Sequence, residues 1–521
     1  MDERVLVGRG AASLFLANIL SLVASTLYFV TVTHVLRSTA EVGVVTALNI
    51  FIWFFVLVCL FAQPIVMGGP IPAPLAVLKF IPELLARGER NGAKKVFRAS
   101  LISSIFVGLA VAGVLSCLPS LVIPLLGGEV LPDFVRLSAV DILVLSVGQI
   151  GLGAIFALGD TRTGALFIVL WSITRSALAS VLLVSYGVVG VLIGWIGGDL
   201  VLLLLAMSKT LQNFVGEVEV DKISIRNLAR YNVYALFAAL LGFIINQADI
   251  MIAFSQQGLS GLAIYNVASI GAGVAGYAPS ALVTVLLPAL ATLSASNKIV
   301  DLHDIIRSST RYVSLLVIPI AFGLAALMEI LLNIFGPDYV SGLLPAVIIS
   351  IAAGLTALSA VYAGALLALG RLRWYTIANV LGLIVLILVA GVLTPIIGLN
   401  GTALGRASLM GVTAIVYALA TFKTKVFEID SRAFIISVVS STVMMIVIFS
   451  ILSVLREFIL KLVMLPVLLI VGILVYVVSL RAFRGLTVSD MDFLRGLLPY
   501  RLHTILPILA RLAGLEYRST E

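Results

Sequence analysis

Apolar residues fill this chain in long runs, and polar ones gather in the short breaks between them. An α-helix needs about 20 residues to cross roughly 30 Å of hydrocarbon. Fourteen runs reach that length: 11–34, 43–66, 99–118, 137–157, 165–185 and 188–207, then 234–254, 262–287, 313–332, 344–367, 375–392 and 397–420, and finally 434–455 and 462–480. The pattern predicts an all-α polytopic membrane protein with fourteen transmembrane helices.

The pattern also repeats. Ala157-Leu158-Gly159 followed by Arg162 returns 211 residues later as Ala368-Leu369-Gly370 followed by Arg373. The ladder Gly187, Gly190, Gly194 returns as Gly398, Gly401, Gly405 at the same offset of 211. Two independent marks at one spacing predict two pseudo-symmetric six-helix bundles followed by a C-terminal helix pair. The expected divisions are an N-terminal lobe (1–207), a cytoplasmic linker (208–230), a C-terminal lobe (231–420), the extra pair (421–480) and a cytoplasmic tail (481–521). In the tail, Leu494, Leu498, Leu502, Ile505 and Leu509 alternate with Arg495, Arg501 and Arg511, which suits amphipathic helices lying on a leaflet. Six spans per copy give both copies one polarity. The expectation is an axis along the membrane normal with a substrate cleft between the lobes.

Composition agrees with lipid as the main solvent: 61% of residues are hydrophobic and 11% charged, against about 25% charged in a soluble domain. If the amino terminus is cytoplasmic, inner segments hold 27 of the 33 lysines and arginines and outer loops hold 4. That asymmetry predicts a multi-pass protein of the cell membrane with both termini cytoplasmic. The inner loop with Lys79, Arg87, Arg90, Lys94, Lys95 and Arg98 reads as a topology determinant that attracts anionic lipid, or as a handle for a phosphorylated substrate. The first run is too long for a signal-peptide core of about 7–15 residues. Cys59 and Cys117 lie in apolar runs, and His34, His303 and His503 have no metal spacing. There is no phosphate-binding glycine loop ending in lysine. No cofactor, metal, ATP hydrolysis or nucleic-acid partner is expected.

Charges inside spans cost about 2.5–3.5 kcal/mol on insertion scales and need a reason. Six qualify: Asp141, Arg175, Asp199, Asp249, Glu329 and Arg406. Asp141, Asp249 and Glu329 lie about five residues from the outer ends of their runs, where partial hydration explains them. Asp249 follows Asn246 and Gln247 in a polar patch. Arg175 and Asp199 stand at equal depth on two arms joined at Gly187, which predicts an ion pair. Arg406 replaces Trp195 of the first copy, and the counterparts of Arg175 and Asp199 are Leu386 and Met410. With no acid across its own hairpin, Arg406 either borrows one from the other bundle or faces a wet cavity, where a guanidinium suits phosphate. Polar patches on the first run (Asn18, Ser21, Ser25, Thr26, Tyr28) and on the seventh suit a sugar, or bond helices to one another. Gly271, Gly273, Gly276, Pro279 and Pro288 suggest a bend in the eighth.

The layout of six plus six plus two spans and the charged loop after the second span resemble the polysaccharide-transporter branch of the multidrug/oligosaccharidyl-lipid/polysaccharide exporter superfamily. So do Leu332-Asn333-Ile334-Phe335-Gly336-Pro337-Asp338-Tyr339, Ile264-Tyr265-Asn266-Val267-Ala268 and Gly398-Leu399-Asn400-Gly401. The resemblance implies a flippase, not an enzyme, that moves a polyprenyl- or dolichyl-(pyro)phosphate-linked oligosaccharide from the cytoplasmic to the outer leaflet by alternating access. It implies a monomer among membrane lipids, with the extra pair offering the lipid tail a groove. On this reading Arg406, helped by Arg175, engages phosphate. Asp249 or Asp199 senses a cation or proton, and Asp141, Asn246 and Gln247 add polar lining. The alternatives are an ion-coupled drug exporter of the same superfamily, in which Asp199 and Asp249 bind the drug, a membrane-embedded glycosyltransferase or polymerase, and a transport-dead scaffold.

Overall fold

A backbone in lipid must satisfy its own N–H and C=O groups, and an apolar run does so as a helix. The computed structural model describes residues 3–60, 63–64, 72–73, 75–128, 130–214, 225–295, 299–455, 457–487 and 490. Most of the expected linker's centre and the tail beyond residue 490 lie outside them. The helices are α1 (Glu3–Val35), α2 (Thr39–Leu60), α3 (Leu75–Ala86), α4 (Arg90–Cys117), α5 (Pro132–Ala157), α6 (Thr161–Phe214), α7 (Ile225–Ala295), α8 (Ile299–Phe335), α9 (Leu343–Leu355), α10 (Leu358–Ala368), α11 (Leu372–Ile397), α12 (Leu399–Lys423), α13 (Ser431–Val454), α14 (Phe458–Val463) and α15 (Leu465–Ala482). A two-residue antiparallel pairing of Gln63–Pro64 with Pro72–Ala73 follows α2. Among the described residues, twelve helices are long and apolar enough to cross a membrane.

Two of the twelve turn back on themselves. At 54 residues α6 would reach about 80 Å if straight, far beyond any bilayer, and it breaks at Gly187 (φ 57°, ψ −138°). At 71 residues α7 breaks at Gly258 (φ 67°, ψ −164°). Beyond that turn it stays helical through Gly271, Gly273, Gly276, Pro279 and Pro288, so the glycines and prolines of the eighth run do not interrupt the helix. The tenth run does break, at Thr356–Ala357, where the Thr356 hydroxyl donates to the Ala352 carbonyl (2.7 Å). The basic inner loop is helix except at residues 87–89: α3 buries Val77, Ile81 and Leu84, α4 begins at Arg90, and Arg87 pairs with Glu83 at 2.6 Å.

The repeat is visible in the backbone. The α11–α12 turn at Gly398 has φ 62° and ψ −143°, matching Gly187, its counterpart 211 residues earlier. Positive φ there is the region glycine enters without strain. A Cβ on Gly190 would strike the Leu182 carbonyl, and one on Gly401 the Leu393 backbone, again the same pair of positions. Each copy thus packs its last two arms backbone against backbone.

Contacts divide the chain into two units: residues 1–247 with 257–263, and residues 248–256 with 264–521. The first arm of α7 falls largely in unit 1, where Phe243 lies 5.7 Å from Phe54 of α2. Unit 2 contains the extra pair. Met444, Ile448 and Leu452 of α13 and Leu468 and Tyr476 of α15 share a core with Phe322, Ala326 and Ile330 of α8. Polar contacts pin the same helices at both ends. Ser437 donates to the Ser314 carbonyl (2.6 Å) and Lys461 pairs with Glu329 (2.6 Å). Arg311 binds Asp490 in a two-pronged contact (2.6 and 2.7 Å) and Asp430 at 2.8 Å.

Candidate ion-coupling and phosphate sites

Unit 1 holds a charge cluster built by three helices. Arg175 and Asp199 stand on opposite arms of α6, 12 residues before and after Gly187, and their ion pair spans 3.4 Å. Asp141 of α5 approaches the same guanidinium at 3.6 Å. Both carboxylates are wholly buried, and Arg175 keeps 13% of its side chain exposed. Asp141 is therefore a member of the cluster, ten residues into α5, and not the partly hydrated end group its place in the run suggests.

Aromatic rings close the cluster. Trp195 lies 4.8 Å from the Arg175 guanidinium, and Trp53 and Trp171 each 6.0 Å, so three of the four tryptophans in the chain surround one arginine. Each ring face adds cation–π attraction where water is scarce. The Trp171 indole N–H donates to Asp199 Oδ1 (2.5 Å), and Tyr28 stacks edge-on against Trp195 at 6.4 Å. This cage escaped the reading of charges alone. Its signal was tryptophan at 171 and 195, on the two runs that carry Arg175 and Asp199; Trp53 comes from a third run.

Two carboxylates against one guanidinium leave an excess of one negative charge when all are ionised. Both Asp141 oxygens, Asp199 Oδ2, the Arg175 Nε and Nη2 atoms and the Tyr28 hydroxyl are buried without a hydrogen-bond partner. Buried polar atoms without partners are costly. A cluster with that charge and that many open acceptors is suited to a proton or a small cation and repels an anion.

Unit 2 holds a smaller site. Arg406 of α12 finds its acid within its own unit: Nη1 lies 3.7 Å from Asp249 Oδ1. The acid therefore does not come from the other bundle, as one expected alternative had it. Asp249 is on the first arm of α7, outside the Arg406 hairpin but within reach of it. The Tyr265 hydroxyl, from the second arm, donates to Asp249 Oδ2 at 3.0 Å. Arg406 lies eight residues past Gly398, Asp249 nine before Gly258 and Tyr265 seven after it. All three stand about 10–14 Å from their turns.

Other predicted residues join neither site. The Asn246 amide donates to the Gly242 carbonyl one turn back (2.8 Å), and the Gln247 carbonyl oxygen is buried without a partner. Glu329, assigned to hydration by its position, is held by Lys461. At the other end of α8, Asp430 caps α13 by accepting the Ala433 N–H at 2.9 Å. Burial opposes its charge, but that N–H and the Arg311 guanidinium together hold its carboxyl below the usual range.

Comparison with known proteins follows this geometry. The lipid II flippase MurJ, in its inward closed conformation, superposes with a TM-score of 0.70 at 14% identity, over 90% of this chain and 98% of that one. An inward-facing multidrug resistance MATE transporter of the MOP superfamily gives 0.58 at 15% identity, over 78% and 94%. The Vibrio cholerae MATE transporter VcmN in its bent form gives 0.55 at 16% identity, over 81% and 100%. The chain has the fold of the MOP-superfamily transporters. Residues 87–341 match the profile of the family described as polysaccharide biosynthesis protein. No curated protein matches its sequence.

Proposed function

We propose that this protein is a flippase that carries a polyprenyl- or dolichyl-(pyro)phosphate-linked oligosaccharide from the cytoplasmic to the outer leaflet by alternating access. The single observation that carries the reading is the MurJ-like fold over 90% of the chain, joined to a polysaccharide-biosynthesis profile over residues 87–341. The protein acts as a monomeric transporter in the cell membrane and not as an enzyme. The bias of 27 cations on one side to 4 on the other supports cytoplasmic termini.

Phosphate capture falls to Arg406. Its side chain is 20% exposed beside Asp249, whereas Arg175 is 13% exposed between two carboxylates and lies against indole rings. Arg175 therefore serves the ion-coupling cluster, in which Asp141 and Asp199 take up a proton or cation. That cluster also favours a second reading, an ion-coupled exporter of small molecules, since MATE transporters share the fold. Reconstitution into vesicles with a fluorescent lipid-linked oligosaccharide tests the choice. Transfer across the bilayer that Arg406→Ala reduces at least about tenfold, with normal folding, is the expected result. Dye export without movement of the lipid-linked glycan sinks the flippase reading.

A further inference from the structure

The Arg406–Asp249 pair is built unequally. Its separation of 3.7 Å exceeds the roughly 2.7–2.9 Å of a charge-assisted hydrogen bond. Asp249 Oδ1, the oxygen facing Arg406, is buried and makes no hydrogen bond. Oδ2 is tied to Tyr265, itself fully buried. The acid is the hidden partner, with 4% of its side chain exposed, and the guanidinium is the accessible one at 20%. A pair made for stability alone would close to full contact, because an unpaired buried carboxylate oxygen costs free energy.

We infer that Asp249 is an internal stand-in for the substrate phosphate: it holds Arg406 while the site is empty and yields it when phosphate arrives. This rests on the phosphate role proposed above for Arg406. Tyr265 is the positioning residue that keeps the carboxylate in place after Arg406 turns away, so one oxygen stays satisfied throughout. Among the described residues, the charged or titratable groups facing Asp249 are Arg406 from α12 and Tyr265 from the second arm of α7. Because phosphate and carboxylate compete for one cation, anything that neutralises Asp249 strengthens phosphate binding.

The test measures binding of farnesyl diphosphate to the purified full-length protein. Asp249→Asn is expected to bind it about tenfold more tightly at pH 7.5, at the low end of ordinary coupling between two sites. Arg406→Ala should abolish the tightening. If Arg406→Ala weakens binding but Asp249→Asn leaves it unchanged or weaker, the stand-in role is overturned and the phosphate role survives. If Arg406→Ala has no effect, the phosphate role fails, and the stand-in role with it. Should Asp249→Asn not fold, Tyr265→Phe replaces it. Weakening of about threefold, because the released carboxylate then keeps no hydrogen bond, sustains the inference, and unchanged or tighter binding overturns it.

Discussion

The last two arms of each copy share a backbone and divide in their side chains. At Gly187 and Gly398 the chain turns with the same pair of dihedral angles, and the same neighbours press on Gly190 and Gly401. Eight residues past each turn stands Trp195 in one copy and Arg406 in the other. Trp195 covers a buried arginine flanked by two acids, and Arg406 is itself the arginine, half a pair with Asp249. Unit 1 therefore encloses net negative charge behind aromatic rings, while unit 2 presents a cation that one carboxylate restrains. Glycines keep the frame, because a side chain would strike backbone at Gly190 and Gly401 and would be strained by positive φ at Gly187 and Gly398. The positions between them are free to take opposite chemistries.

The largest effect should come from making unit 1 resemble unit 2. Arg175→Leu installs the residue found at its counterpart, Leu386. It strands Asp141 and Asp199 in a buried site, at a cost of about 3–5 kcal/mol. Arg406→Leu strands Asp249, which keeps its hydrogen bond from Tyr265, and should cost about 1–3 kcal/mol. Thermal midpoints in detergent rank the two. An Arg406→Leu loss as large as that of Arg175→Leu would erase the contrast drawn between the units. Adding Asp199→Asn to Arg175→Leu should restore part of the stability, since one stranded charge is gone.

Next in size is a test of what the copies share. Gly190→Ala and Gly401→Ala each force a methyl into the facing backbone, and overpacking of this kind costs about 1–3 kcal/mol. The two losses should agree closely. A loss in one copy and none in the other would mean that the matching turn angles do not reflect matching helix contacts.

Much of this frame was legible before any coordinates. Hydropathy placed the helices because lipid leaves a chain few ways to satisfy its backbone, and the 211-residue offset located both glycine turns. Equal spacing from Gly187 predicted the Arg175–Asp199 pair. Distance along the chain misled for Asp141 and Glu329, whose partners come from helices that no spacing rule connects to them. The partner of Arg406 was hidden for the same reason: Asp249 reaches it from a helix outside its hairpin. The break at Thr356–Ala357 falls two residues after Gly354, inside an apolar run that continues across it. Pairing between distant helices is a property of helix packing, and periodicity within one helix does not encode it.

The smallest effect concerns the face of unit 2 that has no match among the contacts of unit 1. Asp430 joins the start of α13 to Arg311 of α8. Its carboxyl is held below its ordinary value in the folded protein, by the Ala433 N–H and the Arg311 guanidinium working against the effect of burial. The folded state therefore binds this proton more weakly than the unfolded chain does. The stabilisation is fully present above the unfolded value of about 3.9 and drains away as the pH falls through the lower folded value. Asp430→Asn keeps a cap oxygen but removes the charge, so near neutral pH it should cost about 1 kcal/mol or less. The midpoints of wild type and variant should converge as the pH drops from about 5 to 3. A gap that stayed constant across that range would mean that the carboxylate contributes nothing by its charge, and that Arg311 depends on Asp490 alone to anchor the extra helix pair.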